Sequence, residues 1–120
     1  MSSICVLITY GKDNVDKATI GLTLANAALE GGEQVSLILA SEGVRLAVKG
    51  YADDINNGEP FMPAKQLIDG LLTGGATLNV CTPCLKNRGI AERDIIDRAA
   101  FIAGPDVIRI LKDTDRSIQL

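Results

Sequence analysis

The chain has 120 residues, 12 basic and 15 acidic, a net charge of −3 at pH 7, only four aromatic side chains (two Tyr, two Phe) and no histidine. That length fits one domain, residues 1–120, able to bury roughly two thirds of its unfolded surface without metals or a disulfide scaffold. An acidic balance with so few stacking rings argues against a nucleic-acid surface.

The opening residues lack a basic n-region and a small-residue cleavage site, so their strand-length apolar run reads as a first strand and not a secretion signal. No segment approaches the ~20 apolar residues of a membrane-spanning helix, and the expectation is a soluble chain with no membrane partner. Three cysteines without an export signal point to a reducing cytoplasm, where thiols act instead of bracing.

Residues 4–10 form a near-continuous apolar run closed by Gly11, the pattern of a strand buried on both faces of a parallel sheet, and Lys12-Asp13-Asn14 follows as a polar turn. From Val15 to Leu29, Ala18, Leu22, Ala25 and Leu29 make a helical stripe that Gly31-Gly32 ends. Ile20, Leu24 and Ala28 form a second apolar face on that helix, which fits either a subunit contact or a crowded monomer core. Residues 34–40 give a second strand. Ser41 is placed to cap a short helix through Val48, and 51–60, with Asp53, Asp54, Asn56, Asn57 and Gly58, has loop chemistry suited to a lid, an interface element or a plain surface excursion.

Pro63 suits the first position of a helix whose core face is Leu67, Ile68, Leu71 and Leu72, stopped by Gly74-Gly75. Residues 77–80 are a third strand. A turn of helix starts near Pro83 and breaks at Gly89; 90–98 reads helical with Ile95 and Ile96 inward. A brief strand (101–103), a helix (105–112) and a closing strand (117–120) complete the chain. Five strands separated by helices, with right-handed crossovers, predict a doubly wound, flavodoxin-like α/β fold: a parallel five-stranded sheet in the order 2-1-3-4-5 with helices on both faces. In that order the loops after strands one and three flank the switch point, placing Cys81 beside Gly11, Lys12 and Asp13.

Cys81-Thr82-Pro83-Cys84 lies where the third strand meets a helix start. Two cysteines three positions apart meet across one helical turn, so they can form a disulfide, or one can hold a sulfur atom while the other resolves it. Thr82 is placed to cap the helix with Pro83 in its first turn, and Lys86 and Arg88 add positive potential; together these predict a low thiol pKa at Cys81. The bland alternative is two small apolar side chains filling a strand end, the role expected of Cys5 in mid-strand. Gly11, Lys12, Asp13, Thr82 and Arg88 are the candidate substrate-binding neighbours of the catalytic candidates Cys81 and Cys84.

Several chemistries drop out. A zinc site needs about four ligands and the chain has three cysteines and no histidine, so no metal is expected. A catalytic triad lacks its base. Residues 9–14 hold one glycine and no hydroxyl cluster, which is neither a Walker loop nor a dinucleotide fingerprint, so neither a flavin nor any other cofactor is expected. A thioredoxin is disfavoured because the C-x-x-C follows the third strand.

With Gly75-Ala76-Thr77-Leu78-Asn79-Val80-Cys81-Thr82-Pro83-Cys84-Leu85-Lys86-Asn87-Arg88-Gly89-Ile90 assembled, the chain resembles the DsrE/DsrF-like (YchN-like) family of small sulfur-relay proteins. The resemblance extends to Thr9-Tyr10-Gly11, to Asp94-Ile95-Ile96 and to Gly104-Pro105-Asp106. It implies a flavodoxin-like fold, assembly into trimers or hexamers, and a cysteine after strand three that carries persulfide sulfur between donor and acceptor proteins. Cys81 matches that carrier position; Cys84 matches a second cysteine found in a subset of members. The alternatives are a dithiol oxidoreductase that needs both thiols, and a non-catalytic oligomeric binding subunit.

Overall fold

In the computed structural model, which describes residues 2–120, the strands are β1 (Ser3–Ile8), β2 (Gln34–Leu39), β3 (Thr77–Cys81), β4 (Ala99–Ile102) and β5 (Arg116–Gln119). The α-helices are α1 (Val15–Glu30), α2 (Ala64–Thr73), α3 (Thr82–Asn87) and α4 (Gly104–Asp113). All strands pair in parallel, the arrangement that the near-continuous apolar runs of β1 and β2 predict. Register aligns Val6 with Leu37, Leu37 with Leu78 and Leu78 with Ala99, a row of apolar side chains across one face.

The five-stranded parallel α/β sheet with helices on both faces is present as predicted. Its strand order is β4-β3-β2-β1-β5, so β2 lies between β1 and β3, where the order 2-1-3-4-5 placed β1 against β3. The burial fits this central place: Val35, Leu37, Ile38 and Leu39 are all buried under a layer on each face of β2, while its backbone pairs with β1 on one edge and β3 on the other. Alternation then divides the core. Val6, Ile8, Leu37, Leu39, Leu78 and Val80 face α1 and α2, while Cys5 and Ile38 face the other way with Ile102, against Val107, Ile110 and Leu111 of α4.

The helices begin and end for identifiable reasons. The Asn14 side chain accepts the Lys17 N–H at 3.1 Å and starts α1, which buries Ala18, Leu22 and Ala25 and stops at Gly31-Gly32, with Gly32 at φ +89°. Ile20 and Leu24, on its second apolar face, are each 39% exposed. Pro63 is the N-cap of α2 and not its first helical residue; Leu67, Ile68 and Leu71 form the buried face. The Asp106 carboxylate accepts the Ala103 N–H at 2.9 Å at the start of α4.

Three segments depart from expectation. Residues 41–48 do not form a capped helix: Ser41–Ala47 is a 3-10 stretch whose N-cap is Ala40, and Ser41 itself has φ +53°. Residues 90–98 are not helical beyond one turn at Glu92–Asp94, because backbone hydrogen bonds from Lys49 N to Asp94 O and from Ile96 N to Ala47 O, both 2.9 Å, hold the segment extended beside Val48 and bury Ile95. In 51–60, Tyr51–Asp54 is a 3-10 turn, and Ala52 and Ile55 anchor it to the core. None of the helices among the described residues is long and apolar enough to cross a membrane.

Candidate thiol site

β3 ends on Cys81, which turns the chain as the N-cap of α3 at φ −69°, ψ 111°. Thr82 is therefore the first helical residue and not the cap, and no side chain caps this helix. Pro83, lacking an N–H, fits the first turn, where that donor would have no helical partner. Leu85, buried, pins the helix to the core, and Cys84 stands one turn above the cap. Both thiols are free and partly exposed, and their sulfurs are 3.0 Å apart.

The neighbours come from the stretch directly after β2 and from Arg88 at the end of α3. The Ser41 N–H donates to Cys84 Sγ at 3.2 Å. Arg88 donates to the Cys84 carbonyl (3.3 Å), to Ser41 Oγ (3.2 Å) and, through Nε, to Glu42 Oε1 (2.7 Å); Arg45 Nε reaches the other oxygen of Glu42 at 2.8 Å. The carboxylate of Glu42 thus bridges two guanidiniums, and the Arg88 hydrogen bond above all holds its pKa below the usual value.

Cys81 titrates opposite to the expected direction. Burial pushes its thiol above the ordinary value of 9.0 and the Cys84 side chain adds to the rise; the Cys84 backbone N–H and the Arg88 charge oppose it without cancelling it. The sequence signals for a lowered pKa were real but small: Arg88 spends its charge on Glu42, and desolvation at the strand end outweighs the rest.

Of the candidate residues, the fold unites Cys81, Thr82, Cys84 and Arg88 on α3 and its flank. Gly11, Lys12 and Asp13 lie at the end of β1, one strand further along than predicted because β2 intervenes, with Gly11 against the Glu42 backbone. There Asp13 accepts the Gly11 N–H (2.8 Å), Tyr51 Oη accepts the Lys12 N–H (2.7 Å), and Lys12 Nζ pairs with Asp54 (2.9 Å) while lying over the Tyr51 ring. The 51–60 segment therefore leans on the loop after β1. Ser41 and Glu42 are the site residues that sequence reasoning missed. The available signal was a hydroxyl and a carboxylate directly after the most uniformly apolar strand, at the strand end where parallel sheets present their loops. Among the described residues no group of three or more Cys, Asp or Glu side chains is placed to hold a metal ion.

The architecture and site define a parallel α/β domain that presents a C-x-x-C dithiol at the turn from its third strand into the following helix. The sequence profile of the DsrE/DsrF-like family matches residues 2–120, and the chain belongs to that family. An uncharacterized protein of Methanopyrus kandleri is 30% identical over 116 residues, covering 96% of this chain and 91% of its own. One from Methanocaldococcus jannaschii is 30% identical over 113 residues, covering 94% and 95%. In structure the chain is similar to the ychN protein of E. coli, with a TM-score of 0.83 at 20% identity and full coverage of both chains. A protein of unknown function from Methanobacterium thermoautotrophicum gives 0.76 at 13%, again over both whole chains. At these identities the structural likeness establishes the fold.

Proposed function

We propose that the protein is a cytoplasmic sulfur-relay protein that carries persulfide sulfur on Cys81. The observation that carries this reading is a partly exposed Cys81 at the strand-to-helix turn with a second free thiol 3.0 Å away; membership of the DsrE/DsrF-like family supports it. In loading, the Cys81 thiolate attacks the outer sulfur of a donor persulfide, the new S–S bond forms at Cys81, and the donor leaves as its thiolate. Delivery is the same exchange run onto an acceptor thiol. Because burial keeps Cys81 protonated, loading accelerates as pH rises. Incubating reduced Cys84→Ser protein, in which a sulfur on Cys81 cannot be resolved by the second thiol, with a persulfide donor and measuring intact mass tests the reading: one added sulfur is expected, absent in Cys81→Ser. A Cys84→Ser protein that gains no sulfur, or a Cys81→Ser variant that still gains it, would sink the idea.

The 3.0 Å separation also favours a second reading, a dithiol/disulfide oxidoreductase. Cys84→Ser separates the two: a carrier keeps its loading, whereas an oxidoreductase loses reduction of a model disulfide with either cysteine. Exposure of Ile20 and Leu24 on α1 supports assembly of the chain into a homo-oligomer, a trimer or hexamer, in which donor and acceptor proteins reach Cys81.

A further inference from the structure

Ser41 is the one non-glycine among the described residues with φ in the left-handed region. A side chain is seldom found there without surroundings that hold it, and such residues gather at functional sites. Here both of its polar ends are engaged. The N–H points at Cys84 Sγ (3.2 Å), and the hydroxyl accepts from Arg88 (3.2 Å), which Glu42 and Arg45 hold in turn. Cys84 Sγ lies against Cys81 Sγ. The left-handed φ turns the chain sharply just after this N–H, so that with the amide on Cys84 Sγ both the Ser41 hydroxyl and the Glu42 carboxylate meet Arg88.

We propose that Ser41 is a positioning residue of the thiol pair: its main-chain N–H fixes the Cys84 thiol on Cys81 and so hastens resolution of a sulfur species held there. The proposal rests on Cys81 being the carrier. In resolution the Cys84 thiolate attacks Cys81 Sγ of a Cys81–S–S–R species, R being hydrogen in the persulfide. The Cys81–Cys84 bond forms, the bond from Cys81 to the outer sulfur breaks, and RS− leaves and takes up the proton that Cys84 gave up. The Cys84 sulfur is oxidised as the outer sulfur is reduced by the same amount, so no further oxidant enters.

The test charges Cys81 of the full chain with glutathione and follows its release by intact mass, with Cys84→Ser as the blank. Ser41→Val, whose β-branched side chain resists the left-handed conformation, is expected to slow release roughly ten- to a hundredfold, the scale of a small misplacement of reacting groups. Ser41→Gly, which adopts that conformation freely and keeps the N–H, is expected to release near the wild-type rate. A merely structural role moves thermal stability and leaves release unchanged. A folded Ser41→Val that releases glutathione as fast as wild type overturns the proposal. Should that variant not fold, the Ser41 amide resonance decides: it is expected to move on Cys84→Ala, and an unmoved resonance overturns the proposal. Glutathione release needs no persulfide donor, so failure here is distinct from failure of sulfur loading.

Discussion

Arg88 donates through Nε to Glu42 Oε1 at 2.7 Å, so the helix bearing the thiols is tied to the loop after the neighbouring strand by a charged hydrogen bond. The arginine is only 18% exposed, which keeps the pair from being fully screened, and the same guanidinium also touches Ser41 and the Cys84 carbonyl. The thiol site is thus built at the ends of two adjacent strands, with the sulfurs at the turn from β3 into α3 and their support in the stretch after β2.

Removing that charge shifts Cys81 further in the direction it has already moved. Its thiol is raised above 9.0, and Arg88 is among the influences holding it down. Arg88→Gln is therefore expected to carry the inflection of iodoacetamide alkylation at Cys81, followed by peptide mass, to still higher pH and to slow alkylation at neutral pH. An inflection below that of wild type contradicts the electrostatics described.

Glu42 governs part of the acid limb of stability. Its folded pKa is depressed, so its contribution is complete above the ordinary value of 4.5 and is lost as pH falls through the folded value. Because about a third of the side chain is exposed, the effect is at most about 1 kcal/mol and shrinks in salt. Urea unfolding of Glu42→Gln at neutral and at acidic pH should show a smaller loss on acidification than wild type.

Gly43 leaves no room for a side chain. A Cβ there would collide with the carbonyl of Ile8, a backbone group that cannot rotate away. Gly43→Ala is expected to cost about 1–3 kcal/mol by denaturant midpoint, the scale of overpacking, and to displace the Ser41–Ala47 stretch from the thiols.

Ile20→Glu combined with Leu24→Glu is expected to leave the circular dichroism spectrum intact, since both side chains face outward on α1, while lowering the mass measured by light scattering towards that of one chain. An unchanged mass places the assembly surface elsewhere.

The first two strands were legible because each is a dense apolar run, and the C-x-x-C because its spacing is local. Strand order was not. Near-continuous apolar strands such as 4–8 and 35–39 say that both faces are covered without saying by which neighbour, and the choice between β1 and β2 as the partner of β3 decided which loop meets the sulfurs. Ser41 and Glu42 went unread for that reason, and Lys12 and Asp13 were placed too near. Ile95 and Ile96 misled because adjacent isoleucines fit a helix face as well as an extended stretch; backbone pairing with Ala47 and Lys49, distant in sequence, settled it.

The pairing of β1 with β5 has a kinetic side. β1 to β4 lie in chain order across the sheet, so each can add to an edge its predecessor has just formed, but β5 must return past all of them, and Ser3 binds Asp115 across 112 positions. Closing so long a loop rewards the chain only after α4 has crossed the sheet. A chain that adds its strands in sequence order would leave the edge of β1 open until β5 returns, and the contacts that close it join the two ends of the chain.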